Sequence, residues 1–252
     1  VATVLGNDWF DYPSDRLNRH YGTFTGGSRV LVEAHLGWNQ MRAGIGLSLA
    51  AALAALGLLL DQSTVSNATL LLVAAPLAVL ALGYTAPPLK LAWRGLGELD
   101  VSITHSIGVM LCGFVFQGGA WHDPLPWLLS LPLGLGVLPA ILLAGIPDLE
   151  ADRAAGKRTL AVRLGARGVA GLALGLTVAA ALAAVLLEGL PATQGALTGI
   201  AILVLPHALL LVWLLHDYRR QPRDPGRIDR LLVVALTYIV WFGVVPLYRL
   251  SG

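Results

Sequence analysis

Charged residues are scarce in this chain. Asp, Glu, Lys and Arg make up 13% of its 252 residues, whereas a soluble globular domain carries about 25%. Hydrophobic residues make up 56% of the chain, and the mean hydropathy is +0.71. This composition excludes an ordinary soluble domain and predicts a polytopic membrane protein, in which each span satisfies its own backbone as a helix.

Cysteine is almost absent, since Cys112 is the only one. A single cysteine excludes an intramolecular disulfide and a cysteine-based zinc site. Cys112 lies within an apolar run, which indicates a small packing residue rather than a nucleophile. The net charge is only +2, and no stripe of basic and aromatic residues is present. We therefore expect no nucleic-acid partner.

The start of the chain lacks both an initiating Met and a signal peptide. Residues 1–6 (VATVLG) form an apolar stub that runs directly into a cluster of acidic residues. This pattern is typical of the end of a helix. We expect that residues 1–252 form a single membrane domain without its natural N-terminal helices.

Seven segments contain no Asp, Glu, Lys or Arg and are long enough to cross a membrane. A hydrocarbon core of about 30 Å needs roughly 20 helical residues. Each segment is therefore predicted to form one span. The segments are 43–60, 65–89, 101–122, 124–147, 168–187, 189–215 and 231–248.

Two acidic clusters interrupt the apolar sequence, at residues 7–15 (NDWFDYPSD) and 148–152 (DLEAD). The aspartates of the first are spaced i, i+3 and i+7, and those of the second i and i+4, so each set shares one face of a helix. Carboxylates this close repel each other, and oxygen ligands favour Mg²⁺, which bridges carboxylates to phosphates. One cluster alone also fits a solvated helix end. The predicted metal ligands are Asn7, Asp8, Asp11, Asp15, Asp148 and Asp152.

The connections between the predicted spans alternate in charge. Those near Asp61, Asp123 and Glu188 contain no Lys or Arg. The basic connections are 16–42, 90–94, 153–167 and 216–230. The positive-inside rule places the basic connections, and both acidic clusters beside them, on the cytoplasmic face. We expect a multi-pass protein of a prokaryotic cell membrane.

Several basic residues lie close to the acidic clusters in the sequence. They are Arg29, Lys90, Lys157 and Arg158. Each is able to hold phosphate oxygens and stabilise a leaving diphosphate. Their alternative role is to orient the protein in the membrane. Lys90 follows Pro87 and Pro88, which favours a fixed direction at a helix end.

The motifs Asn-Asp-x-x-Asp-x-x-x-Asp at 7–15 and Asp-x-x-x-Asp at 148–152 resemble the two signature motifs of the UbiA-type intramembrane prenyltransferases. The segment Tyr84…Pro87-Pro88…Lys90 is similar to that family, as are Gly156 and Thr159-Leu160 after the second motif. The resemblance covers nearly the whole chain. Members typically have nine transmembrane helices. The resemblance therefore implies an all-α transmembrane bundle, with about seven of nine spans present and its active site at the cytoplasmic side.

The resemblance also implies a reaction, the Mg²⁺-dependent transfer of a polyprenyl group from a polyprenyl diphosphate to an acceptor, with release of pyrophosphate. Membrane lipids would surround the prenyl chain. Asp11, Asp148 and Lys90 are the implied catalytic residues. The implied substrate-binding residues are Asn7, Arg29, Tyr84, Lys90, Lys157 and Arg158.

The acceptor stays open between branches of that family. Residues 7–12 (NDWFDY), 25–31 (TGGSRVL) and 95–99 (GLGEL) are similar to the branch that uses 1,4-dihydroxy-2-naphthoate in menaquinone synthesis. Residues 15–19 (DRLNR) resemble the quinone, haem and chlorophyll branches instead. A lipid glycerol phosphate is a further alternative. His105 lies in a predicted span and is a candidate to orient or deprotonate the acceptor.

An ion-coupled transporter is the alternative of another class, since such carriers also contain intramembrane carboxylates. A carrier is expected to place its acidic residues near the bilayer midplane. Both acidic clusters here lie at the ends of predicted spans, beside Arg and Lys, which favours the prenyltransferase.

Overall fold

The computed structural model describes residues 1–22, 24–220 and 228–251. Regular structure there is helical, apart from one isolated antiparallel bridge between Gly22 and Thr25. The part of the predicted basic loop 216–230 that covers residues 221–227 lies outside the described residues. The α-helices are α1 (Ala2–Asp15), α2 (Trp38–Gln62), α3 (Asn67–Gly83), α4 (Leu91–Arg94), α5 (Gly97–Ile103), α6 (Val109–Val115), α7 (Pro124–Ala144), α8 (Leu149–Ala155), α9 (Leu160–Glu188), α10 (Ile200–Arg220) and α11 (Asp229–Ser251).

Six helices in the described chain are long and apolar enough to cross a membrane. They are α2, α7, α9, α10, α11 and a composite helix, Gly97–Val115, that consists of α5, a π-helical turn at Thr104–Gly108, and α6. Helix α3 is a seventh, shorter apolar helix. The predicted all-α, polytopic membrane class is confirmed.

Two predicted spans have the wrong limits. The segment 65–89 becomes helical only over Asn67–Gly83, because Pro87 and Pro88 lack the N–H groups that a helix would need. The segment 189–215 begins with a 3₁₀ turn at Pro191–Thr193, and its long helix starts only at Ile200. Gly195 and Gly199 have φ of 76° and 80°, left-handed values that interrupt a regular α-helix. Gly165, with φ of 69°, marks a kink near the start of α9 in the same way.

The composite helix begins at Gly97 rather than at 101, so two acidic residues, Glu98 and Asp100, lie inside it. It starts directly after Gly95, whose φ of 77° ends the short helix α4. Oε1 of Glu98 accepts a hydrogen bond from the backbone N–H of Leu160 at 2.9 Å. This bond joins the start of the composite helix to the start of α9 and satisfies one buried carboxylate oxygen.

Helix α7 lies at the centre of the bundle and packs against α5, α9 and α11. Its glycines allow close approach: a Cβ atom at Gly136 would lie 2.7 Å from the ring of Phe242 on α11. The Tyr238 hydroxyl of α11 donates to the backbone carbonyl of Thr177 on α9 at 3.1 Å. In a membrane, the hydrophobic effect does not favour association between helices, because lipid is as apolar as the side chains. Close packing at small residues and interhelical hydrogen bonds of this kind stabilise the bundle instead.

The connection between α3 and the composite helix is anchored to the segment that leads into α9. The backbone N–H of Arg158 donates to the carbonyl of Trp93 at 2.9 Å, and Nη2 of Arg163 donates to the carbonyl of Arg94 at 2.6 Å. The backbone N–H of Ala92 donates to the carbonyl of Tyr84 at 2.8 Å. These bonds fix α4 beside the end of the bundle that carries both acidic clusters.

Candidate active site

The first acidic cluster lies on α1, as the spacing of its aspartates predicts. Asp8 and Asp11 are buried. Asp8 is held by the loop that follows: the backbone N–H of Ser28 donates to its Oδ1 at 3.3 Å, and the Ser28 hydroxyl donates to its Oδ2. Gly27 brings this loop against the helix, since a Cβ atom there would lie 3.2 Å from Oδ1 of Asp8 and 3.4 Å from Oδ2 of Asp15.

A buried lysine joins the two acidic clusters. Nζ of Lys157 lies 3.1 Å from Oδ2 of Asp11 in the first cluster and 3.2 Å from Oδ1 of Asp152 in the second. Only 7% of Lys157 is exposed. A buried charge of this kind needs paired partners of opposite sign. Lys157 therefore serves as the internal counter-ion of both clusters.

A second bond closes the gap between the clusters. The Asn18 side chain, which follows α1, donates to Oδ1 of Asp148 at 2.6 Å across 130 residues of chain. Oδ1 of the same Asn18 side chain in turn accepts from the backbone N–H of His20 at 2.8 Å. Asn18 was not predicted to have a role. Its position in the run 15–19 was the only available signal.

The clusters line a cavity of about 290 Å³ at the end of the bundle. Its walls come from α1, from the loop before Ser28, from the ends of α3 and α7, and from the second cluster. The lining residues of predicted function are Asn7, Asp11, Asp15, Tyr84, Asp148, Asp152 and Lys157, and Glu98 lies among them. The two predicted clusters thus form one polar site.

The electrostatics of the cavity are those of crowded carboxylates with too few cations. Burial and, next, the charge of Asp11 raise the pKa of Asp15 to about 7. Burial and the charge of Asp152 raise the pKa of Asp148 to about 7. Burial by itself lowers the pKa of Lys157, but Asp11 and Asp152 outweigh it and raise that pKa. Additional positive charge would stabilise the ionised site.

Trp93 is a site residue that the sequence analysis missed. Its indole N–H donates to Oδ1 of Asp11 at 2.7 Å. The ammonium of Lys90 lies 4.8 Å from the centre of its ring, and that of Lys157 lies 5.3 Å from it. Nothing in the sequence marks this tryptophan, because Asp11 is 82 residues away and aromatic residues near span ends commonly anchor the interface.

Three of the predicted basic residues lie outside the cavity lining. Lys90 stacks on Trp93 and is thus one ring away from Asp11. Arg29 donates to the carbonyl of Asp15 at 3.1 Å and pairs with Glu33 at 3.1 Å. The Arg158 side chain is exposed. The structure therefore brings Lys157 into the cavity and leaves these three around it.

A second cavity, of about 340 Å³, shares a wall with the first. Asn7, Gly27 and Tyr84 line both cavities. Burial, followed by nearby carboxylates that include Asp11, raises the pKa of Tyr84 well above its usual value, so its hydroxyl keeps its proton. His105 lines the second cavity.

The donor set of the first cavity suits a hard cation. Within the described residues, no three His, Cys, Asp or Glu side chains form a ready-made metal cluster, and Lys157 stands between Asp11 and Asp152. Oδ1 of Asn7 is buried without a hydrogen-bond partner. Carboxylate and amide oxygens are the ligands of Mg²⁺, which is usually bound by one or two carboxylates together with waters and phosphates rather than by a protein cage.

The described residues thus form an all-helical membrane protein in which two aspartate-rich motifs line one polar cavity. The chain belongs to the UbiA prenyltransferase family, which it matches over residues 1–245. Its fold is similar to the apo structure of a UbiA homolog from Aeropyrum pernix K1, with a TM-score of 0.70, 20% identity, and coverage of 99% of this chain and 84% of that one.

A curated relative is the UbiA prenyltransferase domain-containing protein 1 of Dictyostelium discoideum. It is 33% identical to this chain over 87 residues. The aligned part covers 34% of this chain and 26% of that protein, so it spans about a quarter of the relative's length.

Proposed function

We propose that this protein transfers a polyprenyl group from a polyprenyl diphosphate to an acceptor, in a Mg²⁺-dependent reaction that releases pyrophosphate. The observation that carries the proposal is the contact of Lys157 with Asp11 and Asp152. It joins both aspartate-rich motifs in one cavity of a chain that belongs to a prenyltransferase family. Residues 1–252 form one membrane domain in this proposal.

Asn7, Asp8, Asp11, Asp15, Asp148 and Asp152 would hold the Mg²⁺. The bound metal would neutralise the diphosphate and help it to leave. Mg²⁺ is usually held by one or two carboxylates together with waters and substrate phosphates. Both motifs face the cytoplasm in this proposal, because the basic connections lie beside them.

The protein's own residues bind the diphosphate and control its departure. The C–O bond of the prenyl diphosphate breaks, and its electron pair leaves with pyrophosphate. The acceptor then forms a bond to the allylic carbon and loses a proton. Lys157 and the Tyr84 hydroxyl are positioned to donate hydrogen bonds to the departing oxygens. The apolar helices exclude water, which would otherwise react with the allylic cation that forms when this bond breaks.

The surrounding basic residues have supporting roles in this proposal. Lys90 reaches the site through Trp93, on whose ring it stacks, and it assists catalysis by adding positive charge near Asp11. Arg29 fixes the loop that holds Asp8, through its bond to the carbonyl of Asp15. The exposed Arg158 meets the diphosphate or an anionic headgroup at the entrance to the cavity.

The acceptor in this proposal is aromatic and of the quinone-precursor type. 1,4-Dihydroxy-2-naphthoate is the first candidate, because residues 7–12, 25–31 and 95–99 resemble the branch that uses it. The second cavity provides the space, since it meets the first at Asn7 and Tyr84. An acceptor there would lie directly beside the bond that breaks.

The test is prenyl transfer by Asp11→Ala and Asp148→Ala in detergent, with radiolabelled geranylgeranyl diphosphate and a panel of acceptors that includes 1,4-dihydroxy-2-naphthoate. We expect wild-type protein to release pyrophosphate only with Mg²⁺, and both variants to lose at least about 100-fold in rate, as removal of charge-stabilising groups does. Asp61→Ala is the matched control, because Asp61 is exposed at the end of α2.

Full activity in Asp11→Ala or Asp148→Ala would contradict the assignment. An ion-coupled carrier predicts a different result, namely ion flux across liposomes without release of pyrophosphate. Measurement of both quantities on the same preparation separates these two classes.

A further inference from the structure

One oxygen of a buried carboxylate in the second cavity lacks a hydrogen-bond partner. Asp100, on α5, lines this cavity and is only 4% exposed. Its Oδ1 is buried and has no hydrogen-bond partner. An unpaired polar group away from water is costly, and more so when it is charged. Ionisable residues inside membrane segments are expensive and usually mark a functional site.

The cavity presents further hydrogen-bond acceptors beside Asp100. Oδ1 of Asn7, on the opposite helix, is also buried without a partner. Nδ1 of His105 lies 3.0 Å from the backbone carbonyl of Val101. An Nδ1–H donated to that carbonyl leaves Nε2 as an acceptor. Among the described residues that line this cavity, there is neither a Lys nor an Arg. Thr3, Ser28, Tyr84 and Thr104 supply hydroxyl groups to the lining, yet none of them bonds Oδ1 of Asp100. A ligand that donates a hydrogen bond would satisfy this oxygen.

The helix is irregular at this wall. The π-helical turn Thr104–Gly108 follows α5 directly and contributes Thr104 and His105 to the lining. Such turns inside α-helices often occur at functional sites. The rest of the lining is mixed: Val4, Ala81 and Val101 are apolar, whereas Thr3, Asp8, Ser28 and Tyr84 are polar. A flat ring with hydroxyl groups fits such a mixed surface.

The isoprenoid chain of the donor is the competing occupant of the second cavity. A third cavity suits that chain better. This third cavity, of about 350 Å³, is lined mainly by α3 and the composite helix. Its lining is apolar throughout, with Leu72, Leu77, Ile107 and Trp127 among the residues. A prenyl chain placed in the second cavity would leave Oδ1 of Asp100 unpaired.

We infer that Asp100 is a specificity-determining residue, which accepts a hydrogen bond from a ring hydroxyl of the acceptor substrate in the second cavity. This inference rests on the proposed function, because that function supplies the acceptor substrate. It deepens that function, because it assigns acceptor recognition to a residue outside both aspartate-rich motifs and selects hydroxyl-bearing rings over rings of equal shape that lack a donor.

The experiment measures binding without any prenyl donor, to the full chain in detergent under reducing conditions. The probes are 1,4-dihydroxynaphthalene and 1,4-dimethoxynaphthalene, which share the ring system and differ in hydrogen-bond donors. We expect wild-type protein to prefer the dihydroxy compound by about tenfold or more, as one hydrogen bond to a charged group provides. Asp100→Ala is expected to abolish this preference.

Asp100→Asn keeps the shape of the side chain and one acceptor oxygen, so we expect a reduced preference in a folded protein. The matched control Asp61→Ala should keep the full preference. In the transfer assay, Asp100→Asn should raise the KM for the acceptor and leave the KM for the prenyl diphosphate within twofold. If Asp100 only stabilised the fold, the substitution would change both KM values.

An undiminished preference in Asp100→Ala or Asp100→Asn would overturn the inference, as would equal binding of the two probes by wild-type protein. A lost preference in these variants supports it. The proposed function fails on a separate result, the absence of prenyl transfer by wild-type protein with every acceptor tested.

Discussion

At the scale of single residues, the carboxylates of the site outnumber the basic side chains that contact them. Lys157 contacts Asp11 and Asp152 directly, while Asn18 gives Asp148 only a neutral hydrogen bond. Burial, followed by the charges of neighbouring carboxylates, raises the pKa values of Asp15 and Asp148. A site of this kind is prepared to receive metal together with its anionic substrate.

The raised pKa values predict a pH dependence. Those of Asp15 and Asp148 rise from 3.8 to about 7 in the folded, metal-free protein. Each carboxyl ionises at a lower pH in the unfolded protein than in the folded one. The free energy of unfolding therefore falls as the pH rises from about 4, and the fall is complete above about 7. We expect the melting temperature of metal-free protein to fall between pH 5 and 8.

Added Mg²⁺ with pyrophosphate should offset that fall at pH 8 and have little effect at pH 5, because the ligands must lose their protons before they bind metal. Differential scanning fluorimetry in detergent measures both effects. A melting temperature that rises steadily from pH 5 to 8 without metal would contradict this electrostatic account.

At the scale of elements, the loop after α1 is as important as the helix itself. Gly27 has φ of +71° and brings this loop against Asp8 and Asp15. Gly27→Ala adds a side chain in a left-handed conformation, which costs about 1–2 kcal/mol, and crowds both carboxylates. We expect at least a tenfold loss of prenyl transfer, measured as kcat/KM for the diphosphate.

Gly46→Ala is the control for that variant, since Gly46 lies in α2 with open space around its Cα. Alanine is the better helix former there, so Gly46→Ala should keep activity. Equal activity of the two variants would show that the loop does not need its close approach to the helix.

At the scale of the whole molecule, α7 determines the spacing of the bundle. Gly136→Val would push against the Phe242 ring, 2.7 Å from an added Cβ atom. Overpacking of this kind costs about 1–3 kcal/mol. We expect a lower midpoint of unfolding in detergent, while Gly175→Val on α9, which has open space, should change it little. Equal midpoints would contradict the close packing of α7 against α11.

The sequence by itself determined the membrane class, the helical spans and the two aspartate-rich clusters. Apolar length and i, i+4 spacing are local properties, so they are visible in the order of residues. It did not determine where α3 and α10 begin and end, because those limits depend on prolines and on glycines with left-handed backbones. The start of the composite helix at Gly97 was missed for another reason. The predicted spans were limited to segments without charged residues, and Glu98 and Asp100 lie just before residue 101.

Only the tertiary structure decided which residues meet. It placed Lys157 at the centre of the site and Lys90 on the ring of Trp93. It also brought Trp93 to Asp11, 82 residues away in the chain, and Asn18 to Asp148, 130 residues away. It also left Oδ1 of Asp100 without a hydrogen-bond partner in a second cavity. Contacts between distant segments follow from helix packing, which one sequence does not specify. For that reason the sequence could indicate the chemistry of the acidic site but not its geometry.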